Sequence, residues 1–400
     1  MLIKAGGVVA AGAAVVAGTA RSAAAPAAEP TQGWLGISVK DFGAEGQGSA
    51  DDTAAIQRAL DSSPAGGIVF LPVGVYRTSA PLVVPPGVTL QGTHGNHIDE
   101  GDPSWVQTTA RIKPLSSFSG AACIMIVDRE TGGYPAGSAE QRLIGLTLNG
   151  SALAAGSGVD GIQFVGQVHG VIVRDVAIYG FPNHGITTAY KTSPTGGPSS
   201  LYSSRFERIA VKACKGIGYS FNNTTDSQFT DLECIEGGSI GFFIAGCGNS
   251  CFTNCRSEWN SLHGFDVRGG YGIVELLGCS TDRNNFNGVN IDANSTNDGV
   301  IILNGLRLNR DGRNNKSGGA GYAGLRITGA ATAVLVSALA VETGVDDDKT
   351  GTKSPQYGVS VDKAACVAIE SGIIRGATAG LRDAGTSTIL KLGPTLIART

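Results

Sequence analysis

Charged residues make up only 16% of this 400-residue chain and aromatics only 6%, against an ordinary charged share of roughly 25%. So little charge excludes a coiled coil or other long-helix protein, which would be rich in Glu, Lys and Leu. Neither sign dominates: 30 Lys and Arg face 33 Asp and Glu, for a net charge of −3. The basic footprint of a nucleic-acid binder is therefore missing, and no nucleic-acid partner is expected. Past the N-terminus there is no apolar run long enough to span a membrane, so no membrane partner is expected either. No Cys/His set has zinc spacing. What abounds is glycine, 60 of 400 residues, about twice the ordinary share of roughly 7%. These glycines do not recur at every third position, which excludes collagen. A hydrophobic share of 42% excludes disorder. What remains is a turn-rich, mostly β chain with enough residues for a large core.

The first 30 residues read as an address. Ala5 to Ala20 is a short, alanine-rich apolar run, followed by small-residue cleavage options at Arg21–Pro26. This pattern fits an export signal better than a transmembrane helix, which wants roughly 20 bulkier residues. Only Lys4 precedes the run. Leu2–Gly7 is similar to the tail of a twin-arginine signal without its arginine pair, an absence that a natural start upstream of Met1 would explain. The mature chain, 31–400, is expected as one domain that is secreted and works extracellularly.

Val39-Lys40-Asp41-Phe42-Gly43-Ala44 precedes a Gly-rich stretch ending in Asp51-Asp52. Thr53–Leu60 and Gly67–Tyr76 follow. The pattern predicts strand, turn, helix and strand, with Asp51 or Asp52 capping the helix and Ile56 and Leu60 on its buried face. This string resembles the start of the pectate-lyase superfamily, the group that includes glycoside-hydrolase-28-like proteins and phage tailspikes. The resemblance implies a right-handed parallel β-helix with an N-terminal cap region, here 37–92. It leaves the reaction open, because the superfamily holds lyases, hydrolases, epimerases and transferases. The Asp51-Asp52 pair is read as structural.

From Leu143 onward one pattern recurs: apolar-x-x-apolar-x-apolar, a short turn, then Gly-apolar-x-apolar. The clearest copies start at Phe206, Phe229, Phe252 and Leu276, with Gly218, Gly241, Gly264 and Gly288 opening the second strand. Looser copies start at Leu143, Val173, Leu303, Val336 and Ile369. A period in the low twenties means a solenoid. The leucine-rich-repeat signature is absent, and short period-2 strands between tight turns suit an all-β parallel β-helix. Cys255 and Cys279 then fall on one inward position of adjacent coils and read as buried free thiols. A Cys247–Cys251 disulfide is the alternative.

Outward rows on such a solenoid are where chemistry would sit. One row precedes the repeat glycine and holds Asp160, His184, Ile217, Ile240, His263 and Asn287. Asp160-Gly161 and His184-Gly185 resemble the Asp-Gly and His-Gly elements that supply a catalytic acid and a nearby histidine in polygalacturonases. The paired aspartates between those elements have no counterpart here, since Ile217 and Ile240 stand in the next coils. The second row collects scarce charge in four middle coils. Glu233, Arg256, Ser280 and Arg307 face outward, beside Glu236, Glu258 with Trp259, Asp282 with Arg283, and Arg310 with Asp311. Asp266, Arg268, Asn290 and Asp292 follow the glycine in two of these coils. Glu258 and Asp282, in adjacent coils, suit the roughly 5 Å carboxylate pair of a retaining glycosidase. A lyase would instead use Arg256, Arg283 or Arg307 against a uronate and His263 or His184 as base. Trp259 offers a sugar a ring to stack on. The catalytic candidates are thus Glu258, Asp282, His263, Asp160 and His184. Substrate contacts are expected from Glu236, Arg256, Trp259, Asp266, Arg283, Arg307 and Arg310.

The expected function is hydrolysis or β-elimination of an acidic, uronate-containing polysaccharide. Alternatives are a glycan-rearranging transferase, a uronate epimerase, or a non-catalytic tailspike-like adhesion protein. The epimerase family's acidic signature is not matched at Tyr179–His184. No cofactor is required; Ca2+ has one candidate holder, the polar insertion at Asp346-Asp347-Asp348. A homotrimer is an assembly that tailspike-like relatives commonly form.

Overall fold

A computed structural model describes residues 36–95, 108–128, 140–188, 199–270, 272–292, 299–314, 321–329, 333–345, 351–363, 366–384 and 390–399. The export-signal segment and Asp346–Asp348 lie outside the described residues.

The apolar spacing of the repeat becomes strand register. Phe206 pairs with Phe229 and Phe229 with Phe252, each one coil on. Tyr219, Phe242 and Phe265 are aligned in the same way on the next segment. A regular coil runs through Gln228–Ile235, bends at a left-handed corner, crosses a turn and continues as Phe242–Cys247. It returns through Ser250–Thr253 into the next coil. All these pairings between coils are parallel, which gives a parallel β-helix. Among the described residues, one face is an eleven-stranded sheet running from Leu82–Val84 to Ala379–Asp383. The other main sheet holds the two segments on either side of a kink in each coil. The stack begins before Leu143: Ile68–Phe70 pairs with Thr89–Gln91, which pairs with Arg142–Ile144.

The core is a file of like side chains along the axis. Phe206, Phe229 and Phe252 stack at centroid distances of 5.0 and 4.3 Å. Tyr219, Phe242 and Phe265 do so at 4.6 and 4.5 Å. At the N-terminal end the helix Thr53–Ser62 buries Ile56 and Leu60. Asp51, one residue before the N-cap, accepts from the Thr53 N–H at 3.0 Å. Asp52, at the N-cap position, instead accepts from Glu45 N–H and Gly46 N–H and closes the Gly-rich turn.

The repeat glycines are required by close approach. A Cβ on Gly241 would lie 2.0 Å from Ser257 Oγ and 2.7 Å from the Gly264 carbonyl. One on Gly264 would lie 2.5 Å from the Gly288 carbonyl. The left-handed corners, by contrast, admit ordinary residues. Asp231 and Asn254 hold one corner at φ 55° and 53°. Ala213, Glu236, Trp259, Arg283 and Arg310 hold the next at 51–58°. All eight cysteines are free. Cys255 and Cys279 are buried, whereas Cys247 points inward and Cys251 is partly exposed, so that pair forms no disulfide. Among the described residues no helix is long and apolar enough to cross a membrane.

Candidate functional site

Strand alternation sorts the middle coils. In Arg256–Glu258 and Ser280–Asp282 the central residues, Ser257 and Thr281, turn inward, and their neighbours face out. Register then builds two axial rows. Glu233, Arg256, Ser280 and Arg307 form one; Ile235, Glu258, Asp282 and Asn309 form the other. Between them lies a hollow of ≈ 510 Å³ lined by Asn254, Arg256, Glu258, Ser280, Thr281, Asp282, Arg307 and Asn309. A smaller hollow of ≈ 190 Å³, on the same face two coils earlier, is lined by Arg208, Asp231 and Glu233 among others.

The two carboxylates of the larger hollow are held differently. Glu258 Oε1 accepts from Arg256 Nε at 2.5 Å, and among the described residues no other hydrogen bond engages the carboxylate. Asp282 Oδ2 accepts from Arg310 Nη2 at 2.9 Å and from Arg283 Nη1 at 2.7 Å, and its Oδ1 accepts from Arg310 Nε at 3.2 Å. Burial raises the Glu258 pKa against the pull of Arg256, and the Asp282 charge adds to the rise. Burial also raises the Asp282 pKa, here against Arg283 and Arg310. Arg307 is exposed; it donates to the Gly278 carbonyl at 3.1 Å and forms no ion pair among the described residues.

The remaining substrate-contact candidates scatter around this hollow. Glu236 is exposed at its corner, 3.9 Å from Lys212. Trp259 lies beside the hollow, but its ring already has the Arg283 and Arg313 guanidiniums at 4.6 and 4.7 Å. This corrects the expectation of an open stacking face: the tryptophan holds two cations in place. Asp266 sits fully buried on the other sheet, accepting from Arg268 at 2.8 Å and from Asn290 at 2.8 Å. Asp311, grouped by sequence with the outward charges, turns inward. It ends a buried ladder in which Asn260 donates to Asn284 and Asn284 to Asp311, each at 2.8 Å, and it accepts from Thr281 at 2.5 Å. Burial pushes its pKa up to about 7, against the hydrogen bonds from Thr281 and Asn284.

The row before the repeat glycine has a backbone role. Asp160 accepts the His184 N–H at 3.0 Å and His184 Nδ1 accepts the Ile217 N–H at 2.9 Å. Likewise His263 Nδ1 accepts the Asn287 N–H at 3.2 Å, and Asn287 Oδ1 accepts the Ala323 N–H at 2.8 Å. Each side chain satisfies an amide of the following coil that the turn would otherwise leave unpaired. Burial holds both histidines below the ordinary imidazole range, in the His263 case against Asp266, and pushes Asp160 up to about 6. None of the three lines the hollow that holds Glu258 and Asp282. Sequence reasoning missed Asn254, Asn309, Asp231 and Arg208. The signal was available, since all occupy outward or corner positions of these coils or, for Arg208, of the coil before them. Among the described residues no cluster of His, Cys, Asp and Glu could hold a metal ion.

Residues 36–108 match the family profile described as rhamnogalacturonase A/epimerase, pectate lyase-like, the group that the Val39–Tyr76 string resembles. Over 241 residues the chain is 27% identical to the mannuronan C5-epimerase AlgE4 of Azotobacter vinelandii, covering 58% of this chain and 36% of the relative. Over 214 residues it is 26% identical to the preneck appendage protein of Bacillus phage PZA, covering 50% of this chain and 23% of the relative. The chain therefore matches only about a quarter to a third of these relatives' length. Among solved structures, the N-terminal fragment of bacteriophage phi29 gene product 12 superposes with a TM-score of 0.66 at 18% identity, over 86% of this chain and 58% of that one. The enzymatically active domain of bacteriophage CBA120 tailspike protein 2 does so with a TM-score of 0.61 at 16% identity, over 89% and 51%. At such identities these likenesses speak to the fold.

Proposed function

We propose that the groove binds a uronate-containing polysaccharide along the solenoid axis and removes the proton α to a uronate carboxylate. One juxtaposition carries this reading. A carboxylate with a free oxygen, Glu258, shares a hollow with a guanidinium, Arg307, that has no carboxylate of its own among the described residues. Arg307 would pair with the uronate carboxylate and absorb the charge that develops there. Glu258 Oε2 would take the C5 proton while the C–H electron pair passes into the carboxylate as an enolate. From that point the pair can expel the 4-linked oxygen, which takes up a proton, giving β-elimination. Alternatively a proton returns to the opposite face of C5, giving epimerisation. Asp282, fixed by three guanidinium hydrogen bonds, adds to the proton affinity of Glu258 through its charge.

The mannuronan C5-epimerase relatives support the uronate class. Their acidic signature has no match at Tyr179–His184, and the Glu258 hollow supplies the acid–base groups instead. A second reading is retaining hydrolysis. Glu258 and Asp282 are in register, roughly 4.8 Å apart by strand spacing, close to the roughly 5–5.5 Å of retaining pairs. It is the weaker reading, because three guanidinium contacts occupy the carboxylate that would serve as nucleophile. The proposal also takes the protein to act outside the cytoplasm, where such polymers occur.

The test is incubation with uronate polysaccharides, polymannuronate among them, in H2O and D2O. Unsaturated uronate absorbance with new reducing ends marks elimination. Deuterium at C5 without scission marks epimerisation. Reducing ends alone favour the hydrolytic reading. Absence of all three signals would leave only a binding role of the kind the appendage-protein relatives suggest.

A further inference from the structure

Charge along the groove is unevenly compensated. At the end nearer the C-terminus Arg307 has no acid partner among the described residues, and in the next coil Glu342 is matched by Arg375. At the other end the acids outnumber the cations free to meet them. Asp231 is exposed, and among the described residues its one hydrogen bond is from the Asn254 amide, at 2.6 Å. Glu233 reaches Arg256 at 3.6 Å, but that guanidinium is held closer by Glu258, at 2.5 Å. Glu236 has Lys212 only at 3.9 Å. Arg208, which lines the smaller hollow, is already engaged by Asp175 and by Glu207. Glu233 and Arg307 stand three coils apart in one row, roughly 14 Å by strand spacing, the span of a short oligosaccharide.

We infer that the groove selects a mixed polysaccharide, with a uronate at the Arg307 end and a non-anionic sugar at the Asp231–Glu233 end. This deepens the proposed function and rests on it. Ionised carboxylates only accept hydrogen bonds. The smaller hollow therefore suits a unit that donates, such as the hydroxyls of a neutral sugar or the ammonium of an amino sugar. A uniform polyuronate would bring a second carboxylate against Asp231 and Glu233, where like charges repel.

The full chain carrying Glu258→Gln, so that no turnover intervenes, is titrated with size-matched oligosaccharides at low salt. One set is homopolymeric uronate; the other alternates uronate with a neutral or amino sugar. The alternating set binds about tenfold more tightly, the scale of two exposed charge contacts. Adding Asp231→Asn and Glu233→Gln recovers most of that factor for the homopolymer and none for the alternating set. Equal or tighter binding of the homopolymer, or a preference that the two substitutions leave untouched, overturns the inference. So does homopolymer binding that appears with Ca2+ and vanishes with chelator, since the acids would then be holding a cation. Failure of every uronate oligosaccharide to bind would instead sink the uronate reading itself, and this inference with it.

Discussion

Glu258 and Asp282 are aligned in neighbouring strands of one hollow, yet their hydrogen bonds assign them different work. Among the described residues Glu258 has one guanidinium contact and a free oxygen, whereas Asp282 has three such contacts. Glu258→Gln is expected to lower kcat by about 10²–10⁴-fold while leaving oligosaccharide affinity within a few-fold, read by steady-state kinetics and calorimetry. If Glu258 is the base, kcat/KM rises with pH through an ionisation displaced above the ordinary carboxylate range, in the direction its burial dictates. A fall across that ionisation would mean that it works as an acid, as hydrolysis requires. Asp311 makes a separate prediction about stability. Its folded pKa of about 7 stands above the ordinary Asp value of about 3.9, so between those values the folded chain binds more protons and stability falls as pH rises. Asp311→Asn should reduce the loss of stability between pH 5 and pH 8, measured by denaturant midpoints; an unchanged slope would remove Asp311 as its source. The outward placement of Glu258, Asp282, Arg256 and Arg307 was legible because apolar alternation dictates which side chains face out. The roles of His184 and His263 were not. They depend on which amide of the following coil lacks a partner, and a single coil's sequence does not contain that. Trp259 was hidden for a similar reason: Arg313, one of its two cations, comes from beyond the next coil.

At the scale of the strand, the file of phenylalanines does two jobs: it fills the core and fixes the register on which both outward rows depend. Phe229 packs between Phe206 and Phe252. Phe229→Ala should therefore destabilise by about 3–5 kcal/mol, seen as a lower denaturation midpoint, and should weaken the site one and two coils on far less than it weakens the fold. Gly264→Ala is expected to be at least as disruptive, because the added methyl meets backbone as well as side-chain atoms. If that variant matches the parent chain's stability, the close approach at Gly288 is not what holds glycine there. Sequence exposed the glycine column but gave no way to separate crowding from left-handed geometry. The corners settle it, since Asp, Asn, Arg and Trp accept the left-handed conformation while no side chain fits at the repeat glycine.

For the molecule as a whole, period, strand content and resemblance all pointed to a parallel β-helix, because stacked coils write the same inward positions again and again into the chain. Only the early coils escaped notice. Their copies of the pattern run through Ile68–Phe70 and Thr89–Gln91, inside the segment read as a cap. Function belongs to this scale too, because the groove is assembled from residues of successive coils, each presenting one layer. Since its contacts are largely exposed charges, oligosaccharide affinity should fall steadily as salt is raised toward the range where the Debye length is shorter than the groove. Salt-independent binding would move the contact surface away from these rows.

Coil stacking also makes the spacing between functional groups an integer count of backbone layers. Glu258 and Asp282 come from consecutive layers, and no loop sets the distance between them. Duplicating one whole coil, about 23 residues by the repeat spacing, between Glu258 and Asp282 would leave the register of every other layer intact and move the two acids one layer further apart. Such a chain should fold with a melting profile close to the parent's and lose its chemistry. Insertion of the same coil beyond Arg375 should leave the chemistry alone. Lineages that gain or lose single coils can in this way abolish or recreate a reaction in one genetic step without redesigning the scaffold.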